Sequence, residues 1–203
     1  MRRVPASRIA LFFSIATLGC LADLVSKRIV FDWLGMPGEQ PVWWLIDGWF
    51  GFHTSLNQGA LFGLGQGYVS VFALLSVIAA VGVFVWLFVY GAAADRLLTI
   101  ALACVTAGIL GNLYDRLGLH GLTWPAGYVG HAPGTSVYAV RDWILVMIGS
   151  WPWPTFNIAD SLLVCGAGLL IWHGIWEGKS DSANSTNSAN SDGGTRAAND
   201  EKA

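Results

Sequence analysis

Four stretches of this chain, residues 9–30, 68–90, 97–117 and 158–176, run almost wholly apolar for the length of a bilayer crossing. A helix needs roughly 20 apolar residues to span the hydrocarbon layer. Within that layer every backbone polar group must be satisfied inside the segment, which leaves helices or closed barrels. The runs therefore predict an all-α membrane protein of four transmembrane helices. Composition agrees: 54% of residues are hydrophobic and 12% charged, with a mean hydropathy of +0.54, where soluble domains carry roughly 25% charged residues. A net charge of −2 supplies no basic footprint, so nucleic acid is not an expected partner. Cys20, Cys104 and Cys165 each lie inside an apolar run without metal-ligand spacing and read as packing residues. Residues 1–177 are expected to form one membrane domain. Residues 178–203, rich in Ser, Asn, Ala and Gly without apolar periodicity, are expected to be a disordered tail.

Lys and Arg near the span ends set orientation. With the N-terminus inside, Arg2, Arg3, Arg8, Arg96 and Lys179 are cytoplasmic, against Lys27, Arg28, Arg116 and Arg141 on the opposite side. The excess points to cytoplasmic N- and C-termini. Trp33, Trp43, Trp44, Trp49, Trp124, Trp143, Trp151 and Trp153 fall in the two long outer loops, and such rings favour the headgroup layer. These loops are expected to lie on the membrane. The first twenty residues also read as a signal peptide ending in Leu-Gly-Cys, which would make the mature chain a lipoprotein beginning at Cys20. Thr17 and the three further spans favour an uncleaved first helix instead.

Up-down threading brings the end of span one, the start of span two, the end of span three and the start of span four to one side. The embedded polar residues occur at those ends: Asp23 and Lys27, Asn57, then Asn112, Asp115 and Arg116, then Asn157 and Asp160. Ionisable groups within a span each cost at least about 2.5 kcal/mol and usually face a bundle interior or cavity. One site at the outer surface is the expectation. Asp23 and Lys27, four apart, share a helix face and can pair, and Gly108, Asn112 and Arg116 form a second stripe. Each has a plainer reading as a structural contact within the membrane, an interhelical hydrogen bond in the case of Asn112 and Arg116. Asp160 can serve simply as a helix-start carboxylate, and Asp142 as an interfacial loop acid beside Arg141. A small transporter or ion-conducting bundle lined by Asp23, Lys27, Asp115 and Arg116 is the alternative, and it requires polar residues along the whole bundle.

His53, His120, His131 and His173 are scattered and no HExxH or Cys-x-x-Cys occurs, so no metal or other cofactor is expected. No GxSxG elbow is present. Two carboxylates at a membrane surface do fit one scheme: like charges a few Å apart share a proton, offering a base and an acid together. That is the arrangement for aspartic peptide hydrolysis.

The motifs DLVSK (from Asp23), NQGALFG (from Asn57), GNLYDR (from Gly111), VRDW (from Val140) and FNIAD (from Phe156) stand in that order. The series resembles the lipoprotein signal peptidases, or signal peptidase II, from about Asp23 to Trp176. The resemblance implies a four-helix peptidase of the bacterial inner membrane, with its active site at the outer face. Such enzymes cut prolipoproteins before a diacylglyceryl-modified cysteine; membrane lipid is the other expected partner, and a monomer the expected state. It carries the catalytic dyad onto Asp142 and Asp160 and the supporting residues onto Asp23, Lys27, Asn57, Gly108, Asn112, Arg116 and Asn157. Asp115 becomes structural. Residues 43–62 are implied to form a small extracytoplasmic β-sheet cradling substrate. The stretch between Arg116 and Asp142 is longer than the family's usual spacer, a place for altered lid or substrate contacts. The residue before Phe62 is Leu61 where the family usually has a small one, and the polar tail has no expected counterpart.

Overall fold

A computed structural model describes residues 4–59, 64–128 and 130–176. The tail expected over 178–203, and residues 60–63 of the second motif, lie outside the described residues. Among the described residues four helices are long and apolar enough to cross a membrane: α1 (Ala6–Leu34), α2 (Val69–Val89), α3 (Arg96–Arg116) and α4 (Ile158–Trp176). They match the expected spans closely, except that α1 runs further at both ends. Trp33 therefore sits on its last turn and not in a loop. The last turn of α2, Val85–Val89, is π-helical. Asp95 caps α3, its carboxylate accepting from the Leu98 N–H at 2.7 Å.

α3 is the central helix, with 56% of its apolar stretch buried against 11–17% for the other three. Its sequence makes that possible. Ala101, Ala103 and Ala107 are fully buried, and small residues let helix backbones approach where lipid provides no hydrophobic push. A Cβ added at Gly108 would lie 2.4 Å from the Ala159 carbonyl oxygen and 2.6 Å from Leu163 Cγ. One added at Gly166 would lie 2.8 Å from the Ala101 carbonyl oxygen. These two glycines let α3 and α4 run in near backbone contact. The exposed residues Leu18, Leu21, Val25, Leu74, Ile78, Val164 and Ile171 form the apolar outer surface that such a bundle turns to lipid.

At one end of the bundle sits a four-stranded antiparallel sheet in the order β1 (Trp43–Ile46), β2 (Phe50–Asn57), β3 (Val140–Ile148), β4 (Trp151–Pro152). It fulfils the expectation of a small sheet and extends it, because half of it comes from far along the chain. β3 pairs with β2, setting Ser55 opposite Asp142 and Asn57 opposite Val140, past an irregularity between Phe52 and Ser55. Trp33, Trp43, Phe52 and Trp143 form an aromatic cluster with centroid spacings of 5.1–6.3 Å, Trp43 stacked on Phe52 and the other pairs edge to face. Val30, Phe31 and Leu34 seat the sheet on the end of α1. Two tryptophans depart from the headgroup expectation: Trp143 is buried in this cluster, and Trp124 with Met36, Val137 and Ala139. Trp43, Trp49 and Trp151 remain exposed.

Candidate active site

α1 contributes Asp23 and Lys27, one turn apart and fully buried. The Lys27 ammonium lies 2.7 Å from Asp23 Oδ2 and 3.1 Å from Asp115 Oδ2, and donates to Asn112 Oδ1 at 2.9 Å. Asp115 in turn receives Arg141 through Nε at 3.1 Å and Nη2 at 2.8 Å, and the Arg141 backbone N–H at 2.9 Å. The result is a ladder of alternating charge, Asp23–Lys27–Asp115–Arg141, with two acids and two bases. Paired in this way, charges that would be prohibitive singly can be kept in a bundle interior. Arg141 also lies 6.0 Å over the Phe31 ring.

The ladder fixes the two remaining carboxylates. Its grip on Arg141 anchors β3 at the residue before Asp142. At its other end, Asp23 Oδ1 accepts the Ala159 N–H at 2.9 Å, holding the first turn of α4 against α1. Asn157 is the cap of α4. Its Oδ1 accepts the Asp160 N–H at 2.9 Å, and its own N–H reaches back to Asp160 Oδ2 at 3.3 Å. This is a reciprocal capping box; Asp160 is its third-position acid and Asn157 the cap. The other half of the Asn157 amide donates to Asp142 Oδ1 at 2.6 Å and Asn112 Oδ1 at 3.2 Å. Asn112 Nδ2 donates to Asp160 Oδ1 at 2.8 Å. The two asparagines thus span the gap between the carboxylates.

Asp142 and Asn157 meet because Ile144 pairs with Phe156 in an antiparallel bridge, with bonds of 2.8 and 3.1 Å. Asn57, Asn112, Arg116, Asp142 and Asp160 line one cleft of about 60 Å³ together with residues 153–156. That space admits water. Arg116 donates to the Gly59 carbonyl at 3.1 Å and lies 5.8 Å over the Phe72 ring. Gly108 does not enter the cleft; it is the contact that lets α4 deliver Asp160. Asp142 is 2% exposed. Burial raises its pKa well above the ordinary carboxylate value, and the negative charge of Asp160 raises it further. The positive charge of Lys27 and hydrogen bonds from the Asn157 and Asn57 side chains oppose the rise.

The residues expected to converge do so, and Arg141 joins them unexpectedly. On sequence it counted as an outer-side cation, yet it is 3% exposed and paired with Asp115. In "AVRDWI" the Arg–Asp pair is set among apolar residues, which is the signal that it is buried. The transporter alternative fails on distribution. Among the described residues, the buried charged side chains Asp23, Lys27, Asp115, Arg141 and Asp142 all lie toward one end. At the other end the half-exposed Asp95 faces His173 at 3.3 Å. No three His, Cys, Asp or Glu side chains cluster to hold a metal ion among the described residues.

The family model for signal peptidase II matches residues 15–176. The chain belongs to the signal peptidase II family. A lipoprotein signal peptidase of Rhodopirellula baltica is 51% identical over 168 residues, covering 82% of this chain and 72% of the relative. One from Polynucleobacter necessarius subsp. necessarius is 31% identical over 169 residues, covering 79% and 86%. A solved bacterial membrane enzyme superposes with a TM-score of 0.68 over 87% of this chain and 93% of its own, at 24% identity. That last likeness bears on the fold alone. As a signal peptidase II the protein is a multi-pass membrane peptidase that removes signal peptides from prolipoproteins.

Proposed function

We propose that this signal peptidase II is an aspartic endopeptidase in which Asp142 and Asp160 activate water, cutting before the diacylglyceryl-modified cysteine. The observation that carries the reading is the shared cleft in which Asn157 and Asn112 tie the two carboxylates together. With its pKa raised by burial and by the neighbouring Asp160, Asp142 takes the dyad's shared proton and Asp160 takes the part of the base. Water gives a proton to Asp160 as its oxygen attacks the peptide carbonyl carbon. The Asp142 proton passes to the carbonyl oxygen, forming a tetrahedral gem-diol. On collapse the carbon–nitrogen bond breaks, the Asp160 proton goes to the leaving amine, and Asp142 recovers a proton from the diol hydroxyl. Both carboxyls return to their starting states. Asn112 and Asn157 keep the dyad geometry, Asn57 steadies Asp142, and Arg116 at the cleft wall receives substrate carbonyls.

The diacylglyceryl group enters sideways between helices, because nothing favours its leaving the bilayer. The membrane is the bacterial inner membrane, the termini are cytoplasmic, the cleft opens at the outer face, and one chain supplies every site residue. Asp142→Asn and Asp160→Asn, each assayed on a diacylglyceryl prolipoprotein in detergent micelles, should each lose at least about 10²–10⁴-fold in kcat, the range for acid–base groups. Wild-type turnover in either variant would sink the dyad.

A further inference from the structure

The stretch between Arg116 and β3 is folded, not slack. Thr123 pairs with Ser136 in an antiparallel bridge. Trp124 N–H donates to the Thr135 carbonyl at 2.9 Å and Val137 N–H to the Leu122 carbonyl at 3.0 Å. Val137 and Ala139 are fully buried with Trp124 and Met36. The Tyr128 hydroxyl donates to the Pro37 carbonyl, fastening the stretch to the loop after α1.

This flap, Gln58, Arg116 and the first residues of α2 line a second, open cavity of about 370 Å³, within the roughly 300–1,000 Å³ range of ligand pockets. Arg116 lines both this cavity and the dyad cleft, so the two adjoin. One wall is preformed. His131 stacks flat on Trp124 with centroids 3.8 Å apart, and its Nε2 lies 3.3 Å from Gln58 Nε2. The polar lining includes Gln58, Thr135, Ser136 and Tyr138. Among the described lining residues there is no carboxylate, and Arg116 is the one permanent charge.

Scission at the dyad separates chain segments of different character. The signal peptide and the diacylglyceryl group are apolar and remain beside the helices, while the chain beyond the cysteine must leave into water. The second cavity lies past the helix ends, walled mainly by loop residues, next to the cleft and lined by polar and apolar groups alike. We propose that it is the subsite for the first residues of the mature chain after the lipid-modified cysteine, and that it favours neutral polar or acidic side chains there over Lys or Arg. Hydroxyl and amide groups of the wall can satisfy an extended backbone, and Arg116 repels a second cation while attracting a carboxylate. The inference rests on the dyad reading, since it takes the scissile bond to lie in the cleft.

The test uses the full chain and diacylglyceryl lipopeptides that differ only at the second residue after the cysteine, as Ser, Asp or Lys. A fourth substrate ends at an amidated cysteine. In the wild type, kcat/KM for Ser and Asp should exceed that for Lys by about tenfold, chiefly through KM. Ser136→Glu, which places a carboxylate on an exposed part of the wall, should reverse the order in favour of Lys. The neutral Ser136→Gln should keep the wild-type order, and Thr135→Glu provides a second charge reversal. Equal kcat/KM for Ser, Asp and Lys in the wild type would overturn the subsite. So would an unchanged order in both Glu variants, or an equal loss on all four substrates. Failure of the dyad reading has a different mark: Asp142→Asn would keep turning over every substrate.

Discussion

Asn157 holds two acids with one amide. Its oxygen caps the helix that carries Asp160, and its nitrogen donates to Asp142 at 2.6 Å. Asn could not be replaced by Asp in that role without losing the donor. The pH dependence follows from what surrounds Asp142. Its raised pKa keeps it protonated well above the ordinary carboxylate range, so kcat/KM should show an alkaline limb set by loss of that proton. A pH–rate profile that collapses as soon as ordinary carboxylates ionise would contradict the assignment of the proton to Asp142. The stability sign is the reverse of the usual acidic residue. The folded form binds the extra proton, so Asp142's contribution is greatest below the unfolded value of about 3.8 and is lost as pH rises toward the folded one.

Among the elements, α4 is positioned by two different kinds of contact. Its first turn is tied to Asp23 and to its own capping box, which is typically worth about 0.5–2 kcal/mol. Further along, Gly108 and Gly166 set its distance from α3. Gly108→Leu would drive a side chain into the Ala159 carbonyl and Leu163, with overpacking of about 1–3 kcal/mol. The expected outcome is a protein that still folds but has lost cleavage, because α4 moves off with Asp160. Thermal unfolding in detergent and peptidase turnover check this together; wild-type turnover would show that the close approach is dispensable. β3 is placed by the equivalent logic on the other side, paired with β2 and clamped by Arg141.

For the whole molecule, the charge ladder decides both stability and the reading of topology. Arg141→Met leaves Asp115 with Lys27 alone and should destabilise by about 3–5 kcal/mol, the usual result of removing one partner from a buried pair. Adding Asp115→Asn should recover part of that loss. If Arg141→Met unfolds at the wild-type temperature in detergent, the ladder is not what holds β3 to α3. Orientation gains from the same residues. Lys27 and Arg141 are sealed in ion pairs, so of the outer-side cations Arg28 is the well-exposed one, and it pairs with Asp32 at 2.6 Å. The positive excess at the other end is therefore larger than residue counting suggests. With Cys20, Cys104 and Cys165 replaced by Ala, Ser150→Cys should react with an impermeant thiol reagent on intact spheroplasts, and Arg96→Cys only after permeabilisation. The opposite pattern would invert the proposed orientation.

The spans were legible within a few residues because a membrane helix satisfies its own backbone, so its signal is local: an apolar run of the right length. The one-sided placement of Asp23, Lys27, Asn57, Asn112 and Asp160 followed from threading those runs up and down. What the residues cannot state locally is pairing. Asp115 precedes Arg141 by 26 positions, and Asn157 reaches Asp142 because a backbone bridge forms between Ile144 and Phe156. Both are strand-register events, set by how β3 docks and not by any periodicity. The resemblance carries the dyad onto Asp142 and Asp160; the tertiary structure turns Asp115 inward to two cations and puts Asp142 in the cleft beside Asp160. The sequence by itself determined a four-helix membrane peptidase with polar groups gathered at one end. Only the tertiary structure decided which of those groups neutralise one another in the interior and how the two carboxylates are held in one cleft, because burial makes every charge take a partner and packing chooses it.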